Sequence, residues 1–79
     1  METNNTYRLK DMYLAAYIFS QGFELKKVDR LGRTCWFVFA DRKSCEVLAN
    51  LYWANKAEAK IKSFVEAIQS LKDIIFAQT

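Results

Sequence analysis

The chain has 79 residues, of which 52% are hydrophobic and 27% are charged, and its formal net charge is +3. These totals exclude a disordered chain and predict one domain over residues 1–79. The chain has two cysteines, ten positions apart, and no histidine, so these usual zinc ligands do not make up a four-ligand site. We expect no metal and no cofactor. No apolar run is long enough to cross a bilayer, and the first residues contain no signal sequence. We therefore expect a cytoplasmic protein that does not contact membranes.

The chain begins with polar residues, and we expect a flexible tail over residues 1–6. Asp11 is placed to cap a first helix from about Met12 to Gln21, and Gly22 suits the left-handed position after its end. This helix reads MYLAAYIF, without a charge. It should therefore be surrounded, either as the central helix of the fold or in an interface with a partner.

A β-hairpin is predicted next, with strands at Phe23–Arg30 and Arg33–Ala40 and a turn at Leu31-Gly32. A two-residue loop there would place Lys27 opposite Trp36, whereas a longer loop or a bulge would change this pairing. The second strand is apolar on both faces. Its second face must lie under the first helix, against another copy, or against a ligand.

Two further helices complete the predicted fold. Asp41 or Ser44 caps the second helix, which ends near Asn55, and the third runs from about Glu58 to Phe76. The third helix has an apolar stripe at helical spacing, formed by Ile61, Phe64, Val65, Ile68, Leu71 and Ile75. We expect a single small α+β domain of order α-β-β-α-α, in which an antiparallel β-hairpin packs against three helices.

Three segments carry a resemblance to a known family: DMYLAAYIFSQGF, VDRLGRTCWFVFADRKSCEVLANLYW and FVEAIQSLKDIIF. From about Tyr7 to Phe76 the chain resembles a family of short bacterial and phage proteins catalogued as a domain of unknown function. The resemblance implies the same fold and a phage or mobile-element setting, but no activity. Family members often have a glycine and a capping aspartate before the last helix. The segment ANKAEAKIKSF has neither, which leaves the start of the third helix open.

Catalysis is not expected from these residues. Histidine, the commonest general base, is absent, and there is neither a glycine-rich phosphate loop nor a nucleophile elbow. Asp11 and Asp41 are better explained as helix caps. Cys35 and Cys45 lack a visible base to activate them, and both are interpreted as small buried hydrophobic residues.

Nucleic-acid binding is the first functional hypothesis, because basic residues flank the hairpin turn and a tryptophan lies in the following strand. Arg8 and Lys10 either extend this basic patch or merely flank the tail. The alternative interpretation is that the hairpin tip is polar because it faces water and that Trp36 belongs to the core. The candidate nucleic-acid residues are Lys26, Lys27, Arg30, Arg33, Trp36, Arg42 and Lys43.

Protein binding is the second hypothesis. If Tyr52 packs in the core, Trp53 points elsewhere and is partly exposed, as tryptophan anchors of interfaces often are. Phe76, at the end of the third helix, joins Tyr52 and Trp53 as a candidate interface residue. The sequence thus favours a small non-enzymatic interaction module of phage or mobile-element type that contacts nucleic acid through its hairpin. The alternative is a protein-binding module, either an inhibitor or adaptor of a host protein or a homodimer.

Overall fold

The computed structural model describes residues 5–77 and confirms the α+β fold class. It contains three helices and a three-stranded antiparallel sheet. In chain order the elements are β1 (Thr6–Leu9), α1 (Met12–Ser20), β2 (Leu25–Leu31), β3 (Thr34–Ala40), α2 (Arg42–Trp53) and α3 (Ile61–Ala77).

The first strand, β1, was not predicted. It pairs antiparallel with β3, so that β3 is central and the sheet order is β1-β3-β2. The backbone oxygen of Asn5 accepts a hydrogen bond of 3.1 Å from the Asp41 amide, and Thr6 already belongs to the strand. Thr6 therefore belongs to β1 rather than to the predicted tail, because it pairs with Ala40 of β3. Residues 1–4 of that predicted tail lie outside the described residues.

The hairpin is confirmed, but its register differs from the expected one. Leu31 pairs with Thr34, so the loop consists of Gly32 and Arg33 rather than Leu31 and Gly32. Gly32 has a φ of +64°, which suits the first position of a type II′ turn. A β-bulge at Lys26 shifts the pairing a second time, in the part of β2 that is farthest from the turn. Both differences move the residues of β2 along β3 and change which side chains are neighbours.

Local capping explains where the first two helices begin. The Asp11 carboxylate accepts hydrogen bonds from the Tyr13 and Leu14 amides at 2.9 and 3.0 Å, as expected for the cap of α1. Asp41 caps α2 by accepting a hydrogen bond from the Ser44 amide, and its backbone is left-handed, with φ at 66°. Gly22 has a φ of +92° and fills the predicted position after α1. The third helix begins at Ile61, three residues later than Glu58.

All three helices lie on one side of the sheet. Phe37 and Phe39 of β3 are 1% and 0% exposed, and the ring centre of Phe39 is 6.5 Å from that of Phe19 in α1. Residues 14–18 of α1 are buried without interruption, which confirms α1 as the central helix. The smallest dimension of the domain is 19 Å, enough for a sheet and one layer of helices. Within residues 5–77, therefore, no helix lies over the opposite face of the sheet.

Candidate nucleic-acid interface

The face of the sheet that points away from the helices is here called the open face. It contains the second apolar face of the strand RTCWFVFA, for which the sequence predicts a cover without identifying it. Trp36 and Val38 alternate with Phe37 and Phe39 and so project from the opposite side of β3. The open face consists of Thr6 and Arg8 of β1, Lys27, Asp29 and Leu31 of β2, and Thr34, Trp36, Val38 and Ala40 of β3.

Val38 shows how this face is closed without a helix. It is 5% exposed, yet it lies outside the cluster of buried residues that packs between the sheet and the helices. Its neighbours across the two strand pairs are Arg8 and Lys27. Long basic side chains can lay their aliphatic stems over an apolar residue while their charges stay in water. The aliphatic stems of Arg8 and Lys27 are thus placed to cover this part of the second face.

Trp36 lies at the centre of a basic cluster. The guanidinium carbon of Arg8 is 4.4 Å from the centre of the Trp36 ring, and the Nζ atom of Lys10 is 5.8 Å from it. Both distances are within the range of cation–π attraction. The interpretation that Arg8 and Lys10 merely flank a tail is therefore wrong. Sequence reasoning missed this grouping because it missed β1, although apolar Tyr7 and Leu9 alternate with polar neighbours there.

The predicted hairpin residues do not share one surface. Lys27 lies on the open face but opposite Val38, which corrects its predicted place opposite Trp36. The residue opposite Trp36 is Asp29, whose carboxylate lies 3.7 Å from the Lys27 ammonium. Arg30 pairs with Cys35 and so projects from the helix side of the sheet, beyond the helices' main contact with Phe37 and Phe39.

Four further predicted residues lie at separate places. Lys26 occupies the bulge in β2, where its ammonium is 3.9 Å from the Glu24 carboxylate, and Arg33 lies in the turn. Arg42 and Lys43 begin α2, at the end of β3 that is farthest from the turn, roughly 20 Å away along the strand. Arg42 makes a 3.0 Å ion pair with Glu46 one helical turn later, which offsets its unfavourable place at a helix start.

The predicted protein-interface residues lie on the helical side. Tyr52 is half-buried against the core and Trp53 is 66% exposed, as expected, with their rings 5.0 Å apart and edge to face. Burial raises the pKa of Tyr52, and the nearby Asp11 adds to the shift. Trp53 borders an open groove of about 560 Å³, which is also lined by Tyr17, Tyr52, Asn55, Ala57, Glu58, Ala59, Ile61 and Phe64. Phe76, 69% exposed, lies near the other end of α3.

The two cysteines are both free. Cys45 is fully buried and its Sγ donates a hydrogen bond to the Ala40 carbonyl over 3.4 Å. Burial raises the pKa of this thiol to about 11, with a smaller contribution from Asp41, so it stays protonated at neutral pH. Cys35 is half-buried. Cys45 is thus a packing residue, as its sequence context indicates.

Residues 5–77 contain no group of three or more histidine, cysteine, aspartate or glutamate side chains that could hold a metal ion. Within the same range, no helix has the length and apolar character needed to cross a membrane.

Comparison with curated proteins gives no match, and neither does comparison with solved structures. A family model does match: it is described as a domain of unknown function, DUF5659, and it covers residues 4–77. This match confirms the resemblance to a family of unknown function and includes every residue of the sheet and helices described above. The chain belongs to the DUF5659 family.

Proposed function

We propose that the domain binds single-stranded nucleic acid on the open face of its sheet. The observation that carries this proposal is the convergence of Arg8 and Lys10 on Trp36, on the face of the sheet over which no helix of the described residues lies. Trp36 is half-buried, and basic residues beside a partly exposed aromatic ring combine attraction for phosphates with a surface for stacking bases. The site is thus on the sheet, with the hairpin tip as its edge.

Stacking on this face involves Arg8 as well as Trp36. The guanidinium of Arg8 lies over the indole ring, so an incoming base either stacks on the outer side of the guanidinium or displaces it from the ring. Trp36 holds Arg8 in place in the first case and contacts the base itself in the second. In both cases the affinity depends on Trp36, and a residue without a ring cannot replace it.

The charges around Trp36 suit a sugar–phosphate backbone that crosses the sheet. Lys10 lies on one side of the ring, Lys27 is on the far strand, and Arg33 lies in the turn beyond. Asp29 is the acidic strand residue on this face and is paired with Lys27, which limits its repulsion of phosphate. A single strand can present unpaired base faces to the sheet, whereas a duplex hides them within its stack. The proposed ligand is therefore single-stranded.

The experiment is fluorescence anisotropy with labelled single- and double-stranded DNA and RNA, at about 50 and 200 mM salt. Trp36→Leu should weaken single-strand binding about 5- to 150-fold, because it removes a stacking contact. Replacing both Arg8 and Lys10 by glutamine should lower the slope of log K against log salt by about 1.4, since each phosphate contact contributes about 0.7.

Two matched variants make this result specific. Lys56→Gln with Lys60→Gln removes the same charge from the connection between α2 and α3, and should leave binding nearly unchanged. Arg30→Gln with Arg33→Gln removes it from the hairpin tip and should have an intermediate effect. If the tip variant loses more affinity than the Arg8 and Lys10 variant, the hairpin rather than the open face is the site. Absence of binding at low salt would refute the proposed function.

A second candidate function is protein binding through the helical side. The observation that favours it is the amount of exposed apolar surface there, including Trp53 at 66% and Ile61 at 82%. Large exposed apolar groups beside a groove are typical of interfaces. This contact uses the side of the domain opposite to the open face, so the two functions are compatible.

A further inference from the structure

The outer side of α3 carries apolar residues that the fold leaves exposed. Ile61, Val65 and Phe76 are 82%, 54% and 69% exposed, and Ile68 between them is half-buried. Their steps of four, three and eight residues place them along one line of the helix. The side that packs on α1 is centred elsewhere, on Ala67 and Leu71. The apolar arc of α3 is thus wider than the area that α1 covers.

We infer that this line of α3 is where a second copy of the chain docks, with the two α3 helices antiparallel about a two-fold axis near residues 68 and 69. This inference goes beyond the nucleic-acid proposal, and it rests on the second candidate function because it names the partner. The choice of a second copy rests on the order of the side chains along α3. It concerns both this apolar line and a row of charged and polar residues beside it.

The apolar residues of α3 are arranged for self-pairing in the antiparallel direction. About this axis, Ile61 of one copy meets Phe76 of the other, and the same contact occurs twice. Ile61 also lines the groove beside Trp53, so Phe76 of the second copy would lie at its mouth. Val65 meets Lys72 of the second copy, whose aliphatic stem can lie over it while the ammonium reaches water.

The charged row beside this line is complementary only in the same direction. Lys62, Glu66, Gln69 and Asp73 follow one another at steps of four, three and four residues, along one edge of the apolar line. In the antiparallel pair, Lys62 faces Asp73 of the second copy and Glu66 faces Gln69. In a parallel pair about a two-fold axis, this row would lie on opposite sides of the interface in the two copies, so Lys62 and Asp73 would not meet. The row therefore selects the antiparallel arrangement.

The test measures the mass of the whole chain by light scattering and sedimentation, from micromolar to millimolar concentration and without nucleic acid. We expect a dimer whose dissociation constant rises at least about thirtyfold in Val65→Lys, because two lysines then oppose each other at both symmetric sites. Val47→Lys is the matched control, since Val47 on α2 is 56% exposed. It should leave the dimer intact. A monomer throughout, or equal effects of the two variants, would overturn the inference.

A charge exchange tests the antiparallel direction. Lys62→Asp should weaken the dimer roughly threefold to tenfold, because it places two aspartates opposite each other twice. Adding Asp73→Lys to Lys62→Asp should restore the wild-type mass, since the pair is then reversed rather than broken. If the double variant is weaker than the single one, α3 does not pair in this direction. Circular dichroism of each variant confirms that it is folded. Nucleic-acid binding by a monomeric protein would overturn the dimer and leave the nucleic-acid function standing.

Discussion

The two faces of β3 are built from similarly apolar residues but have different surroundings. Phe37 and Phe39 project toward the helices and are 1% and 0% exposed. Trp36 and Val38 project the other way, where no helix of residues 5–77 lies over them. Arg8 lies over the Trp36 ring, and Arg8 and Lys27 are the cross-strand neighbours of Val38. One face is therefore closed by the tightly packed core. The other is closed by side chains that can move without unfolding the domain.

This difference shows that apolar strand residues do not identify the core by themselves. A covering of helices excludes both water and ligands, and opening it costs a large part of the folding free energy. A covering of arginine and lysine side chains can be exchanged for a ligand, because their charged ends already face water. The open face is thus the part of the sheet where the fold leaves room for function.

The largest effect is expected from truncating the covered face. Phe37→Ala should lower the free energy of unfolding by about 3–5 kcal/mol, because it leaves a cavity between the sheet and the helices. The neighbouring residue Trp36 projects from the opposite face, and Trp36→Ala should cost only about 1–2 kcal/mol. The Trp36 ring is half-buried, and its removal mainly takes away the contact with Arg8. Urea unfolding followed by circular dichroism measures both. Equal losses would mean that the two faces are equally part of the core.

A pH dependence is expected from the covered side. The Cys45 thiol has a pKa of about 11 in the folded protein, raised by burial from 9.0. Below pH 9 the thiol is protonated in both states and its contribution is complete. Between pH 9 and 11 the unfolded thiol ionises while the folded one does not, so stability should fall by about 1 kcal/mol per pH unit. Burial raises the pKa of Tyr7 and Tyr52 as well, which steepens the loss at higher pH.

Cys45→Ala separates the thiol from the tyrosines. In urea unfolding at successive pH values, this variant should be less stable at neutral pH but should lose much of the slope between pH 9 and 11. An unchanged slope would show that the thiol at Cys45 is not the group responsible.

The smallest effect is expected from removing the cation over Trp36. Arg8→Gln should lower the free energy of unfolding by about 0.5–1 kcal/mol, because an exposed cation–π contact contributes about that much. The chain has two tryptophans, so in a Trp53→Phe background the tryptophan fluorescence comes from Trp36. Removing the Arg8 guanidinium from this ring should then also change the emission. Arg30→Gln is the matched control, since Arg30 projects from the other side of the sheet. A similar emission change in both variants would argue against the contact.

Those parts of the fold that depend on neighbouring residues were predictable from the sequence. Asp11, Asp41 and Gly22 mark helix ends through local hydrogen bonds and backbone conformation, and all three act as expected. β1 was missed because four residues, TYRL, form a strand only by pairing with β3, which lies far along the chain. Such pairing leaves little local signal.

The candidate site was predictable only in part for the same reason. Trp36 was identified, but its neighbours Arg8 and Lys10 are brought to it by β1. The bulge at Lys26 and the position of the loop decide which residue of β2 lies opposite Trp36, and neither follows from the alternation of side chains. Likewise, the apolar arc of α3 was visible, but which part of it α1 covers depends on tertiary packing.

The most direct test of the open face is an NMR titration of isotope-labelled protein with a short single-stranded oligonucleotide at low salt. We predict that the indole N–H of Trp36 and the amides of Arg8, Lys10 and Val38 shift together and saturably, while those of residues 14–18 in buried α1 do not. Shifts confined to α3 and the Trp53 groove, or no shifts at all, would contradict the account that the helix-free face of the sheet is the ligand surface.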